Sequence, residues 1–318
     1  MDLDPHQKGI LSDDFGVAVS TAWLVDRLGG VRDIVDGRRF MINMGVRKPT
    51  TSKRLPKVGK GKCPDFVLED LAGKLHVLEC KGTQSGTGYL ASAMVTGCAQ
   101  KHGIKVAREL RGESLVIGLS LTGEGDDHES ELVVTDPEDE PLTVVGKSDE
   151  KKVDEVLSRL RLARALNLSG FSRTAFEIAW PESLQRDSPE VELLTSAERK
   201  SLSIAREDRQ VRWQQELDSE FRKVLRRRVD NFVTQQMIFD LPTLQLDSGS
   251  MVNRVTVRRG IQVELLHQLA SSGQDLRSKA TEVLEDAQVL EEPLRFAETE
   301  NSSRLEYQGL FYSEIIFE

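Results

Sequence analysis

Charge in the middle of an otherwise apolar hairpin constrains this chain more than any other feature. Pro64 to Glu69 (Pro-Asp-Phe-Val-Leu-Glu) has the composition of a short strand, and Asp70-Leu-Ala-Gly73 is a turn cluster ending in the glycine that a tight loop wants. Leu75 to Lys81 (Leu-His-Val-Leu-Glu-Cys-Lys) is then the return strand. Side chains alternate along a strand, so Glu79 and Lys81 share one face while Leu78 and Cys80 point to the other. With Asp65 on the partner strand, two carboxylates and an ammonium converge where strands normally bury apolar groups. Charges under a sheet are costly unless they are paired or bound to a metal, so the pattern predicts a site and not plain core.

Two carboxylates and a lysine suit one kind of chemistry. Hard cations such as Mg²⁺ take oxygen ligands and keep several waters, so one or two carboxylates together with a substrate phosphate can hold them. Such a metal screens the phosphate and lowers the pKa of a bound water, and a lysine beside that water can position it. Asp65, Glu79 and Lys81 thereby resemble the Pro-Asp…(Asp/Glu)-x-Lys signature of the PD-(D/E)XK nuclease superfamily, over roughly residues 10 to 120. The resemblance implies a restriction-endonuclease-like α/β fold, a mixed-sheet core flanked by helices. It implies Mg²⁺ (or Mn²⁺) held by Asp65 and Glu79, with the backbone carbonyl of Cys80 as a further ligand. Lys81 then acts on the attacking water.

The flanks follow the same layout. Asp14 to Leu28 carries Phe15, Val19, Ala22, Trp23 and Leu28 at helical spacing, and Gly29-Gly30 stops the helix. In the superfamily a first helix often adds an acid to the metal site, which makes Asp14 (or its neighbour Asp13) the candidate. After the hairpin, Gly82 to Gly88 is a polar glycine-rich loop, and a helix is expected from about Tyr89 to Leu110. Gln100 and Lys101 stand in that helix where superfamily members often touch substrate or support the metal. Ile104 occupies the place of the tyrosine in the Gln-x-x-x-Tyr motif of some members. Ser114 to Leu121 is expected as a buried strand, and Glu131 to Thr135 as a short one.

Between Arg47 and Lys62 the chain carries Arg47, Lys48, Lys53, Arg54, Lys57, Lys60 and Lys62 without an acid among them. Such a loop supplies sequence-independent phosphate contacts, and its adjacency to Pro64 predicts a DNA-facing loop. Gly59-Lys60-Gly61-Lys62 lacks the glycine spacing and Ser/Thr of a P-loop, so ATP binding is not expected. The net charge of −9 argues against binding DNA over the whole surface but leaves room for a locally positive cleft. No apolar run approaches a membrane span, and no signal peptide is expected, so a membrane partner is excluded. Three cysteines without metal-type spacing point to a reducing cytoplasm, and five scattered histidines argue against zinc.

The domain boundary is expected near residue 148, with a nuclease core over 1–148 and a mainly helical recognition or partner-docking region over 149–318. In that second part, helices are expected over Asp149–Leu168, about Ser196–Phe239, Ile261–Ala270 and Asp275–Leu290. Strands are expected over Phe171–Trp180, Val252–Arg258 and Leu305–Phe317, the last returning to the first sheet. Arg226-Arg227-Arg228 is read as a solvated helix face. Together these features predict a metal-dependent nuclease acting on DNA, in restriction or anti-phage defence, working beside an ATPase or helicase subunit. A single site cuts one strand, so double-strand cleavage calls for a homodimer or two sequential nicks. The alternative is a non-catalytic subunit that keeps the nuclease fold to bind nucleic acid or protein.

Overall fold

Asp4 opens the first helix. Its Oδ1 accepts the N–H groups of His6 (2.8 Å) and Gln7 (2.9 Å), while the Gln7 side chain accepts the Asp4 N–H at 3.1 Å. This capping box, with Pro5 in the first turn, starts α1 (Pro5–Arg27) nine residues before Asp14, because the box supplies partners for otherwise orphaned donors. Gly29 and Gly30 then take φ of 69° and 114° and end it. The computed structural model describes residues 4–44, 63–101, 104–106, 109–122, 129–136, 144–145, 150–179, 219, 228–245, 249–270, 280, 295–299, 301–307 and 309–318. They fall into two units that divide between Leu157 and Ser158, nine residues beyond the expected boundary.

The first unit continues with β1 (Val31–Asp36), α2 (Gly37–Asn43), β2 (Phe66–Asp70), β3 (Leu75–Thr83), α3 (Thr87–Lys101), β4 (Lys105–Val106), β5 (Arg111–Ser120), β6 (Glu131–Thr135) and β7 (Val144–Val145). Its main sheet has the order β1-β2-β3-β5-β6. The β3/β5 pair is parallel and its neighbours are antiparallel, so the sheet is mixed. The parallel pair needs a crossover, which α3 provides. Alternation along β3 and β5 sends Leu78, Cys80, Leu115 and Ile117 to one face, where Leu24 of α1 packs on them with Leu68. Val116 faces the other way and meets Leu90 and Met94 of α3. The result is a helix–sheet–helix sandwich of α/β class. The expected helix to Leu110 stops at Lys101, and β4 takes part of the remainder in a two-stranded pair with β7.

The second unit differs from expectation. α4 (Glu150–Leu168) contains the unit boundary and is followed by α5 (Ser172–Ala179), where a strand over Phe171–Trp180 was expected. Next come β8 (Arg228–Val229), β9 (Phe232–Gln245), β10 (Met251–Gln262), α6 (Val263–Ala270), β11 (Arg295–Thr299), β12 (Ser302–Tyr307) and β13 (Phe311–Phe317). The six strands form one antiparallel sheet in the order β11-β12-β13-β10-β9-β8. The closing strands therefore pair with β10 and do not return to the first sheet. Phe232–Phe239 lies in a strand and not in a long helix. The rest of that expected helix and the Asp275–Leu290 helix lie outside the described residues, apart from the isolated positions 219, 228–231 and 280. Tyr312 is fully buried, stacks on Phe232 with centroids 5.5 Å apart, and donates its hydroxyl to Glu314 Oε2 at 2.6 Å. Among the described residues no helix is long and apolar enough to cross a membrane.

Candidate active site

The β2–β3 hairpin is closed by Gly73, which adopts φ 75°, and by Asp70, whose Oδ1 accepts the N–H groups of Ala72 (2.9 Å) and Lys74 (2.8 Å). Its ladder runs outward from Glu69↔Leu75 to Phe66↔Leu78. One residue further, Asp65 has left the ladder and its side chain replaces the missing backbone partner. Oδ2 accepts the Cys80 N–H at 2.8 Å. The Asp65 carbonyl in turn accepts the Gly37 N–H at 2.9 Å. Position 37 has no room for a side chain, since a Cβ there would stand 2.2 Å from the Pro64 carbonyl oxygen.

Glu79 lies at the centre of β3 with none of its surface exposed. Its Oε1 is ion-paired with the Lys81 ammonium, which is 20 % exposed and forms the solvent side of the pair. Its Oε2 is buried with no hydrogen-bond partner. Burial, reinforced by the charge of Asp65, pushes the Glu79 carboxyl up to about 7. The Lys81 ammonium and the Asp65 backbone N–H pull it the other way. Burial also raises Asp65, against the Cys80 N–H and Lys81, while the charges of Asp36 and Asp13 push it further up. An unsatisfied buried carboxylate oxygen beside a second carboxylate is a costly arrangement that a cation would relieve.

Two helices press on this spot through glycines. α3 crosses Glu79 and Lys81 at Gly97, where a Cβ would lie 3.3 Å from Glu79 Cγ, 3.3 Å from Lys81 Cε and 2.7 Å from Val116 Cγ1. On the other face α1 meets the backbone of β3 at Gly16, whose Cβ would come within 2.8 Å of the Lys81 carbonyl oxygen and of Gly82 Cα. A Cβ on Gly82 would fall 1.8 Å from the Ser12 carbonyl oxygen. This close crossing brings the turn Ser12–Gly16 against the end of β3 and puts Asp13 among the charges acting on Asp65.

Of the residues singled out in the sequence, Asp65, Glu79 and Lys81 are brought together. The Cys80 side chain points to the opposite face, packs among Leu24, Leu78 and Ile117, and has its thiol pushed up to about 12 by burial. Its N–H serves Asp65. Asp13 and Asp14 are both exposed on α1, and the charge of Asp13 adds to the rise of Asp65. Gln100 is half-buried, about one turn of α3 beyond Gly97. Lys101 was expected to meet nucleic acid, yet it is buried and its Nζ is bonded to Asp136 Oδ1 at 3.2 Å, so that ammonium serves the fold. Arg47, Lys48, Lys53, Arg54, Lys57, Lys60 and Lys62 lie outside the described residues. The sequence reading missed Gly97, Gly16 and Gly82. An isolated glycine inside a helical pattern is a signal of close packing, and Gly97 carried it.

His76 is buried, its Nδ1 accepts the Glu113 N–H at 2.9 Å, and its Nε2 therefore donates to Asp70 Oδ2 at 3.1 Å, which makes it a brace for the hairpin turn. A cleft of about 300 Å³ opens beside that turn, lined by Leu71, Leu75, Leu110 and Val153 with Arg32, Glu69 and Asp154. It contains none of Asp65, Glu79 and Lys81. Comparison with protein-family models, with curated proteins and with solved structures finds no match to this chain.

Proposed function

We propose that this protein is a metal-dependent nuclease that hydrolyses phosphodiester bonds in DNA, built on a restriction-endonuclease-like core. The observation that carries the proposal is Glu79, fully buried at the centre of a mixed sheet with one oxygen unsatisfied, beside Asp65 and tied to Lys81. A group placed at this cost is expected where function requires it.

The donor set fits a hard divalent cation. Asp65 and Glu79 offer carboxylate oxygens only, which suits Mg²⁺ or Mn²⁺. Among the described residues no three acidic, histidine or cysteine side chains form a metal cage of their own, so waters and substrate phosphate would complete the shell, as is usual for Mg²⁺. When bound, such a cation supplies charge neutralisation at the phosphate and a more acidic water. The chain's own residues do the rest. Glu79, with its carboxyl near 7, releases its proton before it serves as a ligand. Lys81, the exposed member of the pair, holds the attacking water or a non-bridging phosphate oxygen by donating from Nζ. The water oxygen bonds to phosphorus, the P–O bond to the leaving strand breaks, and the water proton passes to solvent while the leaving oxygen takes one up.

The proposal extends by analogy of fold to an effector in restriction or anti-phage defence. It would work in the cytoplasm with its three cysteines free, beside an ATPase or helicase subunit or as a homodimer for double-strand cleavage. The test is cleavage of supercoiled plasmid, linear duplex and single-stranded DNA with Mg²⁺ or Mn²⁺, with EDTA and Lys81→Ala as controls. Loss of a group acting on the transition state is expected to reduce the rate about a hundredfold or more. Equal cutting by Lys81→Ala refutes the site. Tight DNA binding without cutting assigns the non-catalytic alternative.

A further inference from the structure

Two exposed aromatic side chains stand on the two helices that cross β3 at the candidate site. Among the described residues of the first unit, Phe15 (47 % exposed) and Tyr89 (69 % exposed) are the large aromatics left in solvent. Phe15 adjoins Gly16, the residue whose Cβ would touch the Lys81 carbonyl and Gly82. Tyr89 stands on α3 eight residues before Gly97, about 12 Å along the helix from the point above Glu79 and Lys81. Because α3 follows directly on the end of β3, that displacement runs toward the strand's C-terminal end, the end that Gly16 also touches. The two residues therefore stand on helices packed on opposite faces of the sheet, both toward the C-terminal end of β3.

The surfaces carrying these rings are poor partners for phosphate. From Thr87 to Gln100, α3 has no charged residue, although charged residues make up 30 % of the chain. Its exposed positions are Thr87, Gly88, Tyr89, Ala91, Ser92, Val95 and Thr96. On α1, Phe15 is accompanied by exposed Leu11 and by the acids Asp13 and Asp14, which repel a phosphate. What such surfaces can offer a polynucleotide is the face of an aromatic ring, and every base has a π-face to stack on it. In a duplex those faces are covered by neighbouring bases; in a single strand they are free.

Resting on the nuclease proposal, we infer that the site takes its DNA as a single strand, with Phe15 and Tyr89 as stacking platforms on either side of Asp65, Glu79 and Lys81. The test is binding of a fluorescently labelled oligothymidine and of a labelled duplex of equal length, measured by anisotropy in EDTA so that no strand is cut. The proteins are the wild type, Phe15→Ala, Tyr89→Ala, Tyr89→Phe and Lys81→Ala. Both aromatic positions are exposed, and a thermal melt of each variant checks that the fold is kept. The single strand is expected to bind more tightly than the duplex, each alanine variant to lose roughly five- to a hundredfold, and Tyr89→Phe to stay near wild type, because stacking needs the ring and not the hydroxyl. Unchanged affinity in both alanine variants overturns the inference, as does tighter binding of the duplex or no binding of either DNA. Metal-dependent cutting of duplex that both alanine variants retain would leave the nuclease proposal standing and remove this one. Ring-dependent strand binding without cutting under any metal would do the reverse.

Discussion

Replacing Glu79 by glutamine should make this protein more stable and less able to act. The carboxyl is pushed from 4.5 to about 7 because ionising it inside the sheet, next to Asp65, is unfavourable despite the Lys81 partner. Its pKa is thus higher in the folded than in the unfolded chain. Between those values the native state binds more protons than the unfolded one, so stability falls as pH rises through the window and the loss is complete above about pH 7. The span corresponds to about 3 kcal/mol. Glutamine keeps the shape and cannot ionise, and its loss of charge also relieves Asp65. Urea unfolding should therefore find Glu79→Gln close to wild type near pH 4, where both side chains are neutral, and more stable by up to about 3 kcal/mol near pH 8. Added Mg²⁺ should stabilise the wild type, by about 2.7 kcal/mol at a hundredfold excess over its dissociation constant, and leave the variant nearly unmoved. A variant that is less stable than wild type near pH 8 would refute the reasoning, since it would mean that the ionised pair with Lys81 is a net source of stability.

Gly97→Ala gains about 1 kcal/mol of helix propensity but sets a methyl 2.7 Å from a Val116 methyl on a buried strand. The net expectation is a loss of roughly 1–3 kcal/mol in thermal or urea unfolding, with cleavage falling as the Glu79 and Lys81 stems are displaced; a stabilised, fully active variant would show that α3 does not bear on the pair. Asp13→Asn and Asp14→Asn separate two adjacent acids. Removing the Asp13 charge should lower the Asp65 pKa, followed by NMR titration of its carboxyl carbon, while Asp14→Asn leaves that titration in place; a shift in the second variant alone would reverse the assignment.

How much of this was legible depends on whether the controlling contact is local. The β2–β3 hairpin was, because alternation and Gly73 lie within eighteen residues of chain, and so was the convergence of Asp65, Glu79 and Lys81. Two errors in the second unit had local signals that were misread. Phe171, Thr174, Ala175 and Ile178 are all buried and follow the helical period, which is the local signal for α5 in place of the expected strand. The break between β8 and β9 is a two-residue turn, Asp230-Asn231, with Asp230 at φ 52°, and Asp and Asn are residues that tolerate that conformation. The apolar stripe Trp213, Leu217, Phe221, Val224 and Phe232, at helical spacing in the sequence, runs past this turn and pointed to a helix.

The remaining features were not written locally at all. Pairing of β13 with β10 joins positions fifty or more residues apart, and no period within either strand names the partner. The same holds for the glycines at the site. Gly16 and Gly82 are each an unremarkable residue in its own element, and their role exists only where two backbones cross too closely for a Cβ. That crossing holds α1 against the end of β3, and of the two exposed acids Asp13-Asp14 it is the charge of Asp13 that raises Asp65. Sequence pattern thus pointed to the convergence of Asp65, Glu79 and Lys81, and backbone contact decides which helices press on them.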